Sequence, residues 1–188
     1  MEALQRQGNA QSVSVHLSQP IPDDVKEALR TAWAEHRVNQ AYDDLPDNLK
    51  RAIEGRSQVH DSSRNSAGVL RPGVKLPTRP EEVEGPTHPL VRVHPVSGKR
   101  ALYLGRRRVW PSNYIVGMPT AESEALLDKL WAHATQEKYA WTHYWQAGDI
   151  ILWDNRCCMH YRTEVDVNQR RIMHRTTIKG EVVQAPWQ

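Results

Sequence analysis

The sequence predicts a mainly β protein with flanking helices, a sandwich or jelly-roll barrel, and three observations predict it. Short runs bounded by turn residues outnumber helical patterns in the second half of the chain. The stretch 148–180 holds two of these runs. One is apolar, through Ile150, Ile151, Leu152 and Trp153, and is closed by Asp154-Asn155-Arg156; the other, over 170–179, contains β-branched Ile and Thr. Finally, 188 residues without an internal repeat suffice for one domain with a real core, and fall short of two.

From the N-terminus, 1–11 reads as polar and loose, and Val13 to His16 alternates as a short strand. Ser18 to Asp24 supplies turn and helix-start chemistry. Val25, Leu29, Ala32, Trp33 and His36 then recur at helical spacing, which predicts a helix over 23–37. The run Asp43-Asp44-Leu45-Pro46-Asp47 opens a second helix, with Leu49, Ala52 and Ile53 on one face and Gly55 as its stop. Residues 62–85 are rich in Ser, Pro, Gly and charge and predict a long loop or mobile lid. A hairpin follows over 88–105, turning at Ser97-Gly98-Lys99. Leu126, Leu127, Leu130, Trp131 and Ala134 predict a helix over 121–136, and the alternation of Trp141, His143 and Trp145 predicts one more strand.

Composition narrows the class. The chain has no Phe, so its core must lean on Trp, Leu, Val and Ile. A net charge of +3 permits an anionic ligand without arguing for nucleic acid. The run Arg106-Arg107-Arg108 has only Tyr103 and Trp110 near it, too little for a base-stacking platform, and reads as a solvated loop. No run approaches membrane-spanning length and the first residues lack a signal-peptide layout, so a cytoplasmic protein is expected. Cys157 and Cys158 are adjacent, a geometry that strains a disulfide; small-residue packing is the expected role.

The chemistry concentrates in 148–180. His160 lies just past the first run and Arg171 near the start of the second, so antiparallel pairing would bring an imidazole and a guanidinium to one end of a hairpin. Those groups are a metal ligand and a fixed fork for a carboxylate. Arg171, Met173, Arg175 and Thr177 share one face of their strand, and the two arginines would stand about 13 Å apart, enough to serve two anions. Lys179 falls on the same face, and spacing alone favours an ordinary solvated basic face. Of the other histidines, His16, His36, His88, His94, His133 and His143 read as core, cap or surface residues.

The order Trp-Asp-Asn-Arg, Met-His, then Arg-Arg-Ile-Met-His-Arg-Thr-Thr-Ile resembles the C-terminal signature of the taurine dioxygenase (TauD/TfdA) family of Fe(II)- and 2-oxoglutarate-dependent oxygenases. The resemblance extends back through 88–105, Ile115-Val116-Gly117 and 121–135, covering roughly 41–181, and it reverses the preference for a solvated face. It implies a double-stranded β-helix (a jelly roll) with iron on two histidines and one carboxylate. It also implies that His160 is the distal metal ligand, that Arg171 forks the far carboxylate of 2-oxoglutarate, and that Arg175 meets a substrate anion. The implied partners are a small organic substrate and molecular oxygen, with neither nucleic acid nor membrane. The implied reaction hydroxylates that substrate as 2-oxoglutarate becomes succinate and CO2.

One feature of the family pattern is missing. The family supplies its first histidine and its carboxylate as His-x-Asp or His-x-Glu, and none of the nine histidines here has a carboxylate two positions on. His60-Asp61 is adjacent and mis-spaced. Residues 1–37 resemble the family's opening, and 38–188 its C-terminal part, within one domain over 1–188. The seam lies near 36–40. The jelly roll is therefore expected to be incomplete and the enzyme impaired, with marginal stability or homo-oligomers that cover the open edge. The rival reading is a non-catalytic relative that binds a carboxylate without iron.

Overall fold

The structure, a computed structural model, describes residues 5–7, 10–12, 40–65, 68–105, 107, 109–140, 142–146, 149–151, 153–161, 166, 168, 170, 172–177 and 179–187. The predicted strand over 13–16 and helix over 23–37 lie outside them. Residues 1–11, expected to be loose, instead contribute β1 (Gln5–Gln7), which pairs antiparallel with β2 (Ala10–Ser12).

Helix α1 (Gln40–Asp43) and helix α2 (Asp47–Ile53) follow, separated by Asp44, Leu45 and Pro46. Pro46 cannot donate a backbone hydrogen bond, but its carbonyl accepts from Leu49 N at 2.9 Å and Lys50 N at 3.0 Å, opening the second helix. Just past that helix Gly55 adopts φ 69°, a left-handed conformation that side chains disfavour, so the predicted stop is where the chain turns. It turns into β3 (Ser57–Val59), a strand too short to leave a periodic signal.

Strand β3 is the centre of a three-stranded antiparallel sheet, with β4 (Thr87–Pro89) on one side and β7 (Tyr114–Ile115) on the other. Beyond the strand ends, His60 N donates to Pro86 O (2.9 Å) and Ser62 N to Glu84 O (3.0 Å), continuing the pairing. Gly85 makes that approach feasible, because a Cβ there would sit 1.8 Å from the His60 carbonyl oxygen. The 62–85 stretch is a loop, as predicted. It is pinned by the Arg64–Leu70 bridge and by Arg71 N to Ser63 O (2.8 Å).

The predicted hairpin is β5 (Val91–Val93) against β6 (Arg100–Leu102), with His94 and Lys99 closing the turn. Thr87 to Pro89 does not extend it but joins the first sheet. Leu90, between the two, is the corner: its N–H donates to Arg56 O (3.0 Å) and its carbonyl accepts from Tyr103 N (2.8 Å), so one residue pairs with both sheets.

Helix α3 (Thr120–Ala134) lies close to the predicted bounds, and buries Ser123, Leu127, Leu130 and Ala134 on one face. Leu127 and Leu130 join Leu45, Ile53, Leu90, Val91 and Ile115 in the core. The buried Ser123 hydroxyl accepts from Ile115 N at 2.9 Å, fastening the helix to β7. The aliphatic part of the core expectation holds, but Trp110 and Trp145 are exposed, and among the described tryptophans only Trp187 packs on the cluster.

The described residues do not bear out the C-terminal expectation. Among those of 142–187 there is no strand, and a single bridge joins Gln184 to Val93; position 141 and about a third of 148–180 lie outside the described residues. The physical reason is that no layer among the described residues faces this stretch. Ile150, Ile172, Met173 and Val182 are exposed, and a lone hairpin that buries nothing is marginal in water. The described strands thus form sheets of two, three and two strands, not a closed roll. No helix of the described residues is long and apolar enough to cross a membrane.

Candidate functional site

The turn at Asp154 positions the residues singled out in the sequence. Its carbonyl accepts from Cys157 N (3.2 Å) and Cys158 N (3.0 Å), and its carboxylate accepts from Arg156 N (2.8 Å), an Asx-type turn. The Arg156 guanidinium grips the same carboxylate, through Nε at 2.9 Å and 3.0 Å and Nη2 at 2.7 Å, and reaches Glu181 through Nη1 at 3.2 Å. On its other side Asp154 meets the buried His94, whose Nε2 lies 2.9 Å from Oδ2. Ser97 N donates to His94 Nδ1 at 3.1 Å, so Nε2 carries the ring hydrogen and donates to Asp154. Burial opposes the Asp154 charge, but Arg156 and His94 outweigh it and hold the carboxyl well below the usual range. Sequence reasoning took His94 as a core, cap or surface residue; it missed that His94 locks the 94–99 turn to Asp154, sixty residues on.

This turn sets Trp153 beside His160. The two rings lie 5.3 Å apart, and the Arg175 guanidinium stands 5.9 Å from the Trp153 centroid. Trp153 itself is fixed by its Nε1–H donating to Asn155 Oδ1 at 2.8 Å. Two of the three predicted site residues therefore meet on one indole, both on exposed positions. Arg171 lies outside the described residues.

A second group of polar side chains gathers on the paired strands. Gln58 and His60 are two apart, and His88 stands opposite Gln58, so all three share a face of the β3–β4 pair. Arg92 stands opposite Ala101, and Tyr103 lies two residues past Ala101. The His60 and His88 ring centroids are 4.9 Å apart, and Tyr103 is 5.0 Å from His60 and 5.3 Å from His88. The fully buried Gln58 fixes the strand carrying Tyr103: its amide donates to Tyr103 O, and its Oε1 accepts from Asn113 Nδ2 at 3.0 Å and Gly105 N at 3.3 Å. The signal was period-two spacing, at 58 and 60 and again at 101 and 103, but only the strand register shows that the two faces meet.

Burial, then the neighbouring His88, pulls the His60 imidazole down to about 4 from an ordinary 6.5, against a partial lift from the Tyr103 backbone. His60 is therefore neutral in the fold at pH values where the unfolded chain is protonated. The unfolded state then binds more protons, so stability falls as pH drops from about 6.5 to about 4. Discounted for solvent screening at a partly exposed ring, the loss is on the order of 2 kcal/mol. Denaturant unfolding between pH 7 and pH 4 is expected to show it, and His60→Gln to flatten it. Parallel profiles for the two proteins would contradict the assignment. The Asp154 carboxyl does not interfere, because its contribution is lost only below the ordinary carboxylate range.

Residues 37–177 match the family model described as taurine catabolism dioxygenase TauD, TfdA family. The chain belongs to this family. It is 35% identical over 143 residues to the alpha-ketoglutarate-dependent 2,4-dichlorophenoxyacetate dioxygenase of Burkholderia sp. (strain RASC), covering 76% of this chain and 46% of that protein. It is 36% identical over 160 residues to the (S)-phenoxypropionate/alpha-ketoglutarate-dioxygenase of Sphingobium herbicidovorans, covering 81% and 53%. A taurine dioxygenase structure from Burkholderia xenovorans shares 37% identity, with a TM-score of 0.41 over 58% of this chain and 32% of that one. The chain spans about half the length of the curated relatives it matches.

TauD/TfdA membership implies Fe(II) and 2-oxoglutarate, and the residues present can be tested against the metal. A facial triad needs two histidines and a carboxylate converging on one point. Among the described residues the metal-type side chains that converge are His94, Asp154 and Cys157, within 4.8 Å of one another, and His160 is not among them. That group does not fit iron either. The Asp154 oxygens are held by Arg156, His94 Nε2 donates to them, and the Cys158 thiol and burial push the Cys157 thiol up, keeping it protonated. The described residues do not assemble the family's iron centre.

Proposed function

We propose that this chain carries the C-terminal half of a 2-oxoglutarate-dependent dioxygenase site. In it Arg171 holds the far carboxylate of 2-oxoglutarate, Arg175 meets the anion of a small organic substrate, and His160 is the distal ligand of the metal. The family reaction hydroxylates that substrate and releases succinate and CO2. In this chain it is impaired, because the first histidine and the carboxylate of the triad have no counterpart. The observation that carries the reading is the meeting of His160 and Arg175 on Trp153, inside the stretch that matches the family model. Names of the relatives support the substrate class, since phenoxyacetate and phenoxypropionate are small carboxylates. The unfilled triad favours a second reading, in which the chain binds a carboxylate without iron and has no catalytic role.

Both readings need the Arg171 fork, and calorimetric titration with 2-oxoglutarate tests it. Arg171→Lys is expected to weaken binding at least tenfold, because a point charge cannot reproduce two parallel N–H bonds to one carboxylate. Arg175→Ala is expected to leave 2-oxoglutarate binding largely unchanged. Equal affinity in the parent and Arg171→Lys chains would remove Arg171 from the site.

A further inference from the structure

Arg92 is the most unusual charge in the described structure. It is 4% exposed, its Nε is buried without a hydrogen-bond partner, and among the described residues no carboxylate pairs with it. Buried guanidinium groups are ordinarily matched by a carboxylate, since an uncompensated charge away from water is costly. The one compensation visible is the Tyr103 ring, 5.0 Å from the guanidinium carbon. A second unpartnered polar atom lies against the same ring: His60 Nε2, also buried and without a hydrogen bond. His88 touches both His60 and Tyr103 and is half-buried, so it is the member of the group that meets solvent.

We propose that Arg92, His60 and His88, gathered around the Tyr103 ring, form a binding site for a small carboxylate. The guanidinium offers a planar fork that matches two carboxylate oxygens, and the imidazoles offer ring nitrogens at the edge of the same aromatic wall. A metal ion is the poorer occupant despite the paired histidines, because the Arg92 cation lies against the same Tyr103 ring. The strands hold the site before any ligand arrives. Gln58 fixes the backbone of Tyr103, while the register of β3 with β4 and of β5 with β6 sets the other three side chains. None of these residues is Arg171 or Arg175, so the site does not depend on the dioxygenase reading.

The test is a titration of the full chain with sodium acetate, with sodium chloride at equal ionic strength as control. It is read by the histidine ring signals in nitrogen-15 NMR and by the thermal unfolding midpoint. Acetate, and not chloride, is expected to shift the His60 and His88 signals and to raise the midpoint. Arg92→Met, which keeps the volume and removes the fork, is expected to weaken the acetate response at least tenfold, while Arg171→Ala leaves the His60 and His88 shifts in place. Equal effects of acetate and chloride would overturn the proposal, as would an undiminished response in Arg92→Met. If Arg92→Met does not fold, His88→Gln on the half-buried ring decides: a severalfold weaker response sustains the site, and an unchanged one removes it.

Discussion

Asp154→Asn is expected to destabilise the fold by about 3–5 kcal/mol, the range for breaking a buried ion pair by removing one partner. The carboxylate is buried and serves two groups at once, the Arg156 guanidinium and the His94 imidazole. Asparagine keeps the shape but removes the charge, leaving the Arg156 cation with the exposed Glu181 alone. A domain of this size holds roughly 5–15 kcal/mol in all, so the loss would be a large share of it. Denaturant midpoints at pH 7 measure the effect, and a change under about 1 kcal/mol would show that the network is peripheral. Glu181→Gln is the internal comparison. Its side chain is 60% exposed, and its loss should shift the midpoint far less than Asp154→Asn does. The pH dependence has a definite sign. The folded Asp154 carboxyl lies below its unfolded value of 3.8, so its contribution is present above that value and is lost as pH falls further. The consequence reaches the site, because the same turn sets Trp153 against His160.

Inserting a family-like His-x-Asp segment at the seam near Val38 is expected to give a succinate-forming activity, and the chain as it stands is expected to show none. One imidazole cannot select Fe(II) against water and competing metals, since affinity and selectivity come from ligand number and arrangement. In the proposed site His160 would supply one ligand, and the inserted pair would supply the other two. Succinate formation with Fe(II), ascorbate, oxygen and 2-oxoglutarate, measured on both chains, separates the outcomes. Turnover in the insertion variant, abolished by His160→Ala, places His160 on the metal. Turnover in the parent chain, abolished by the same change, would mean that the missing ligands come from residues already present. Among those, His60 is turned toward His88 and Tyr103, and Asp61 is engaged by Ser63 N at 2.8 Å. Absence of turnover in both forms favours the non-catalytic, carboxylate-binding reading.

The sequence by itself determined what local chemistry and long patterns can determine. Leucines at 126, 127 and 130 placed α3, because helical periodicity survives over fifteen residues. The turn residues at 97–99 placed the β5–β6 hairpin, and Gly55 the end of α2. The order of residues in 153–178 identified the family, which the family model bears out. Tertiary structure alone decided the rest, because strands of two or three residues carry no periodic signal and their partners lie far away in sequence. Leu90 as the corner between two sheets, His94 locked onto Asp154, and Arg92 brought to His60 and His88 all depend on register and crossing. The fate of 148–180 shows the same limit from the other side. Its residues favour strands, but a strand persists only where another layer covers it, and among the described residues no such layer faces Ile150, Ile172 or Met173.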